Sequence, residues 1–153
     1  HGGFRHPITP ESFIEEDFGN GIVRAPMHTL INGMDVFSFA ISKPPKSVAQ
    51  FMEVENIDKD KDVDYFLIHQ ANKMIVDRVV KKLKLPVEKV PYNLEEFGNL
   101  GGASLPTLMV TRLRDQLISG PQRMLMSAFG LGLSWGTMSA TFGPMVIPEL
   151  ICI

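Results

Sequence analysis

Cysteine is almost missing from this chain: one residue in 153, Cys152, at the penultimate position. A single cysteine excludes an internal disulfide and fits a reducing, cytoplasmic setting. Cys152 lies in a tail after Pro148, and no serine stands in an obvious nucleophile setting, so the chain carries no evident nucleophile of its own. Long apolar runs are also lacking. Without a stretch of about 18 such residues, the pattern predicts no membrane-spanning helix. Nor is there an excess of charge of either sign: 15 Lys and Arg stand against 17 Asp and Glu, a net charge of −2. The whole-chain charge therefore gives no reason to expect nucleic acid as a partner. The opening residues, His1 to Pro7, are polar and turn-rich rather than a signal peptide, and no initiator methionine is present, which reads as a start part-way through a longer chain.

What is present is ordinary for one α/β domain. Hydrophobic residues make up 44% of the chain, enough for a core at this length, and the nine methionines suit core or interface filling. Residues 1–19, with Pro7, Pro10 and the acidic Glu15-Glu16-Asp17, read as a solvated linker leading into a domain over 20–153. Gly21 to Leu30 reads as a first strand. From Met34 to Met52 the apolar positions recur at helical spacing, and Pro44-Pro45 divides them into a short helix and a longer one ending near Glu55. Val63 to Ile68 is apolar apart from Asp64, the pattern of a strand buried on both faces. Asn72 caps a helix to Leu83 whose apolar stripe is Ile75, Val76, Val79, Val80 and Leu83, with Lys73, Arg78, Lys81, Lys82 and Lys84 opposite. Val90 to Asn93 reads as a short strand and Ala103 to Ile118 as one helix. Arg123–Phe129 and Leu133–Phe142 then form a hairpin around Gly130-Leu131-Gly132. The order βαβαβαββ predicts a five-stranded, mostly parallel mixed sheet with helices on both faces.

Two motifs thirty residues apart carry the chemistry. His69-Gln70-Ala71-Asn72 follows the buried strand and opens a helix. Gly98-Asn99-Leu100-Gly101-Gly102-Ala103-Ser104 precedes another helix. The carboxyl ends of strands are where α/β proteins build sites. A helix N-terminus disfavours imidazolium, and a neutral His can donate a hydrogen bond to a carbonyl oxygen. A His and an Asn aimed at one point can therefore stabilise an oxyanion. Taken singly, each has a plainer reading: His69 as a structural histidine, Asn99 as a turn or cap residue, the Gly-Leu-Gly segment as a hairpin turn, the basic helix face as a solvated one.

The combination resembles the C-terminal half of a β-ketoacyl-acyl-carrier-protein synthase III, of the thiolase superfamily. The resemblance rests on Asn32-Gly33-Met34-Asp35-Val36-Phe37, His69-Gln70-Ala71-Asn72, Gly98-Asn99 with Ala103-Ser104-Leu105-Pro106, and Phe129-Gly130-Leu131-Gly132-Leu133-Ser134-Trp135-Gly136, and covers roughly 20–143. It implies one half of a five-layer αβαβα body and a Cys-His-Asn catalytic set whose cysteine lies in an N-terminal half absent from this sequence. It implies catalytic roles for His69 and Asn99, an oxyanion or acyl pocket at Leu131 and Phe129, and a pantetheine tunnel lined by Gly33, Phe37, Ala71 and Asn72. Lys81 and Lys82 are implied to meet an acidic acyl-carrier protein. No metal and no resident cofactor are implied; coenzyme A and acyl-carrier-protein thioesters are substrates. The partners implied are the missing half, the carrier protein and a second copy in a homodimer.

The implied activity is condensation of an acyl group from acyl-coenzyme A with malonyl-acyl-carrier protein in fatty-acid or related secondary biosynthesis, with the isolated chain inactive. Three departures bear on substrate range. Leu100-Gly101-Gly102 replaces small hydroxylated residues after the Asn, Met34 replaces a common Asn, and Met74 replaces a basic residue. These keep open an acyltransferase that moves a thioester's acyl group to oxygen or nitrogen. A non-catalytic half that binds only carrier protein is a further alternative.

Overall fold

The computed structural model describes residues 7–28, 31–130 and 132–151. After a 3-10 turn at Pro10–Phe13, the strands β1 (Glu16–Asp17) and β2 (Val23–Arg24) pair antiparallel. The turn between them runs through Gly19, Asn20 and Gly21, with φ of 85°, 54° and 77°. Three left-handed residues in succession suit only glycine and asparagine at low cost. The strand expected over 21–30 is thus mostly something else. Among the described residues of that segment only Val23–Arg24 form a strand, and they pair with β1 rather than with the main sheet. Pro26, which has no N–H to offer a ladder, lies in the turn that follows. Thr29 and Leu30 lie outside the described residues.

The next two helices are α1 (Gly33–Ala40) and α2 (Lys43–Val54). Asn32 caps α1, its Oδ1 accepting from the backbone of Met34 at 3.1 Å and Asp35 at 3.2 Å. Pro44 and Pro45 sit in the first turn of α2, where a missing N–H costs nothing. The two-helix reading of 34–55 therefore holds.

The main sheet has three strands in the order β3 (Tyr65–Ile68), β4 (Gln122–Gly130), β5 (Ser134–Phe142). β3 runs parallel to β4, with Ile68 opposite Ser127, and β5 returns antiparallel, with Trp135 opposite Phe129. Between β3 and β4 lie α3 (Lys73–Leu83), α4 (Leu94–Phe97), α5 (Ser104–Arg112) and α6 (Arg114–Ser119). The expected five-stranded sheet is not what the described residues form. Val90–Asn93 is not a strand: Pro91 again lacks an N–H, and Asn93 is buried with its Nδ2 donating to Thr111 Oγ1 at 3.1 Å. That bond holds the segment against α5 rather than in a ladder.

The single helix expected over 103–118 is two. Leu113 leaves the helical region at φ −121° and ψ 12° and is buried. Upstream, Thr107 and Thr111 hydroxyls donate to the carbonyls of Ala103 and Thr107 at 2.8 and 2.6 Å, bonds that bend helices. Downstream, Arg114 Nε donates to the carbonyl of Ile147 at 3.1 Å.

Alternation along the strands sends successive side chains to opposite layers. Leu67, Met124 and Met126 pack with Leu108, Leu113, Leu117 and Ile147 on the α5–α6 side. Phe66 and Leu125 pack with Val48, Ile57, Val63 and Leu85, and Ile68 with Ala40, Ile75, Val76 and Val79, on the α1–α3 side. Helices cover both faces, as the sequence pattern predicts. Among the described residues no helix is long and apolar enough to cross a membrane.

Gly143 shows how closely the chain closes after β5. Its φ is +91°, and a Cβ there would stand 2.5 Å from the Gly120 carbonyl oxygen and 2.8 Å from that of Leu117. Gly143→Ala is expected to destabilise the chain by roughly 2–3 kcal/mol, through backbone strain and that clash. Denaturant unfolding of the two proteins side by side measures it; equal midpoints would contradict this packing.

Candidate active site

His69 is fixed by the sheet. Its backbone N–H donates to the Ser127 carbonyl at 2.9 Å, extending the β3–β4 ladder by one residue. The chain then turns at once, with Ala71 N donating to the His69 carbonyl at 3.0 Å. Asn72 takes an extended conformation and its Oδ1 accepts from Ile75 N at 2.9 Å, capping α3. Gln70 is fully buried, and its Nε2 donates to the Ile68 carbonyl at 2.7 Å. Each residue of the motif thus has a local task that turns strand into helix, and the imidazole is left at the junction.

His69 as a residue is 7% exposed. Its ring meets the ring of Phe129 edge to face, with centroids 4.9 Å apart and planes at 83°. No described residue hydrogen-bonds to it. Burial lowers its pKa from the ordinary value of 6.5. A neutral imidazole carries one N–H, and here that donor is uncommitted.

Asn99 sits in an exposed loop between α4 and α5. Its Oδ1 accepts from Gly101 N at 2.9 Å, and Gly98 and Gly101 on either side take φ of 61° and 57°. With the oxygen held, the free end of the carboxamide is the Nδ2 donor. No hydrogen bond joins Asn99 to His69, so each presents a donor independently.

The other expected residues fall into three groups. Phe37, Ala71 and Phe129 pack into one apolar cluster around Ile68, beside His69. Gly33, the first residue of α1, is exposed, and Asn72 spends its side-chain oxygen on the cap. Leu131 and Cys152 lie outside the described residues. Lys81 and Lys82 are exposed in the last turn of α3, and Lys82 Nζ donates to the Ile41 carbonyl at 3.0 Å. They border open hollows of about 520 and 580 Å3, shared with Arg78 on one side and with Lys43 and Lys46 on the other. Neither hollow has His69 or Asn99 in its wall.

Sequence reasoning missed three buried polar groups and one ring. Gln70 Oε1, Ser104 Oγ and Ser127 Oγ are buried without a hydrogen-bond partner among the described residues. Phe39 meets Phe129 at 6.1 Å between centroids, although its spacing from Phe37 suggests no shared contact.

The lowered pKa of His69 has a consequence for stability. The folded chain binds its proton more weakly than the unfolded chain, so this group's contribution is full above about pH 6.5 and falls as pH drops below it. A histidine-resolved NMR titration is expected to give His69 a midpoint below 6.5, and a midpoint above that would contradict the dry ring environment.

A sequence model described as 3-oxoacyl-[acyl-carrier-protein (ACP)] synthase III C terminal matches residues 54–142. The beta-ketoacyl-[acyl-carrier-protein] synthase III of Limosilactobacillus reuteri (strain DSM 20016) is 42% identical over 106 residues, 69% of this chain and 32% of that protein. Among solved structures, the 3-oxoacyl-(acyl-carrier protein) synthase of Burkholderia xenovorans LB400 superposes with a TM-score of 0.74 at 37% identity, covering 78% of this chain and 34% of that one. A 3-oxoacyl-(acyl-carrier-protein) synthase III superposes with a TM-score of 0.75 at 29% identity, covering 91% and 41%. The chain thus spans about a third of the length of the curated relatives it matches.

Proposed function

The chain belongs to the 3-oxoacyl-[acyl-carrier-protein] synthase III family, whose C-terminal region it matches, and on that premise we propose that it supplies the oxyanion-binding part of a decarboxylating condensing enzyme. The observation that carries this reading is His69: a buried imidazole with no described hydrogen-bond partner, lowered in pKa, at the carboxyl end of a parallel strand.

In the proposed reaction a malonyl thioester on acyl-carrier protein places its carbonyl oxygen before the imidazole N–H of His69 and the Nδ2 of Asn99. The carbon–carbon bond to the carboxylate breaks and carbon dioxide leaves. The electron pair passes into the thioester as an enolate, whose oxygen the two donors stabilise. The enolate carbon then attacks the carbonyl of an acyl group held as a cysteine thioester, and the thiolate departs. We place that cysteine in sequence outside these 153 residues, and residues 20–153 in a half-domain that packs against the part carrying it. Exposed apolar side chains, among them Met138 on the α5–α6 side of β5, suit surfaces that such packing would cover. Phe37 and Ala71, packed on the Ile68 cluster, suit the pantetheine arm, and the cations around Lys81, which form no ion pair among the described residues, suit an acidic carrier protein.

A second reading is favoured by one feature. Leu100-Gly101-Gly102 puts no hydroxyl next to Asn99, which alters the floor of the pocket and fits transfer of an acyl group to an oxygen or nitrogen acceptor.

In the longer protein that contains this chain, His69→Ala and Asn99→Ala are each expected to slow carbon dioxide release from malonyl-acyl-carrier protein by about 100- to 1000-fold, the loss typical of one oxyanion donor. Acylation of the cysteine by acyl-coenzyme A should suffer less. Unchanged carbon dioxide release in both variants would refute the assignment. Transfer to a hydroxyl or amine with no release in the parent protein would select the second reading.

A further inference from the structure

The wall that holds His69 is itself held. Phe129 and Trp135 are directly opposed across the β4–β5 ladder, so their side chains share one face of the sheet. Phe39 of α1 sits over both. Its ring meets Phe129 at 6.1 Å and 71° and Trp135 at 5.4 Å and 70° between centroids and planes. Phe129 in turn meets His69 at 4.9 Å and 83°. All three contacts are edge-to-face, the arrangement aromatic quadrupoles prefer. α1 is anchored beneath this group by Ala40, fully buried among Ile68, Ile75, Val76 and Val79. Trp135 is 47% exposed and is the only tryptophan in the chain.

We propose that Phe39 is a positioning residue for His69: acting through Phe129 and braced by Trp135, it fixes the ring that excludes water from the imidazole. Phe39 does not touch His69 and takes no part in bond making. Three elements, α1, β4 and β5, converge on one side of the imidazole, and only Phe129 makes the last contact. With Phe39 replaced by a smaller side chain, Phe129 loses the ring packed against it and water reaches the imidazole. The ionisable groups on neighbouring elements leave this effect undisturbed, because no charged side chain of α1, α3, β4 or β5 makes a described contact with the His69 ring. The charged residues of those elements are Asp35 on α1, Lys73, Asp77, Arg78, Lys81 and Lys82 on α3, and Arg123 on β4, and Lys73 is paired with Asp77 at 3.8 Å. The inference rests on the proposed role of His69 for its effect on turnover, and on geometry alone for its effect on titration.

The test uses the longer protein with carbon-13 in the His69 ring. Phe39→Leu is expected to raise the His69 titration midpoint by about half a pH unit, a roughly threefold change in the protonation equilibrium. The limb of the kcat profile governed by that group should move with it. Phe39→Tyr keeps the ring edge and should restore the original midpoint. Trp135→Leu, at a half-exposed site, should shift it in the same direction by less, and serves if Phe39→Leu does not fold. A titration that coincides with the parent in Phe39→Leu and Trp135→Leu would overturn the inference. If the titration moves while the kcat profile stays still, the positioning role stands and the catalytic reading of His69 is the one that fails.

Discussion

The structure depends on the parallel pairing of β3 with β4. Four residue pairs, Tyr65–Met124 to Ile68–Ser127, put two distant parts of the chain in fixed register. Because side chains alternate, the same register decides which faces meet which helices. It brings Leu67 to the α5–α6 layer and Phe66 and Ile68 to the α1–α3 layer. It also sets the site. The ladder's last bond, His69 N to the Ser127 carbonyl, leaves the imidazole level with Phe129, two residues beyond Ser127 on β4. A slip of one residue would send Phe129 to the other face.

On the proposed reading, the site needs a donor that is present but not charged. The chain meets that need by desolvation rather than by a neighbouring positive charge. His69 is lowered in pKa by burial, with no ion pair at the ring. The wall doing this is aromatic, which keeps water out without offering the imidazole an acceptor. Asn99 is arranged differently. It is exposed, and a backbone N–H fixes its oxygen so that its nitrogen faces outward. One donor is made available by dryness, the other by a turn.

Much of this was legible in the residues. Val63 to Ile68 announced a buried strand because a run that is apolar apart from Asp64 needs cover on both sides, and the structure buries Val63, Phe66, Leu67 and Ile68. Asn72 announced a helix start because a carboxamide before an apolar stripe caps. The strands expected over 21–30 and 90–93 were not formed as read. Ile22 and Val23 are exposed rather than covered by a neighbouring strand, and Pro26 and Pro91 weaken any ladder there. The break at Leu113 was hidden because Leu113 fits the apolar period of one long helix. Of the candidate site, His69 and Asn99 were visible from their place after a strand and beside glycines. Phe39 was not, since its contacts depend on how α1 lies across a distant hairpin, which no local period encodes.

The most direct test of the account is a crystal structure of the longer protein with an unreactive malonyl-pantetheine analogue. The account predicts one thioester carbonyl oxygen about 3 Å from both an imidazole nitrogen of His69 and Nδ2 of Asn99, with Asn99 Oδ1 still on Gly101 N. A carbonyl oxygen bound elsewhere, or Asn99 turned so that its oxygen faces the ligand, would contradict it.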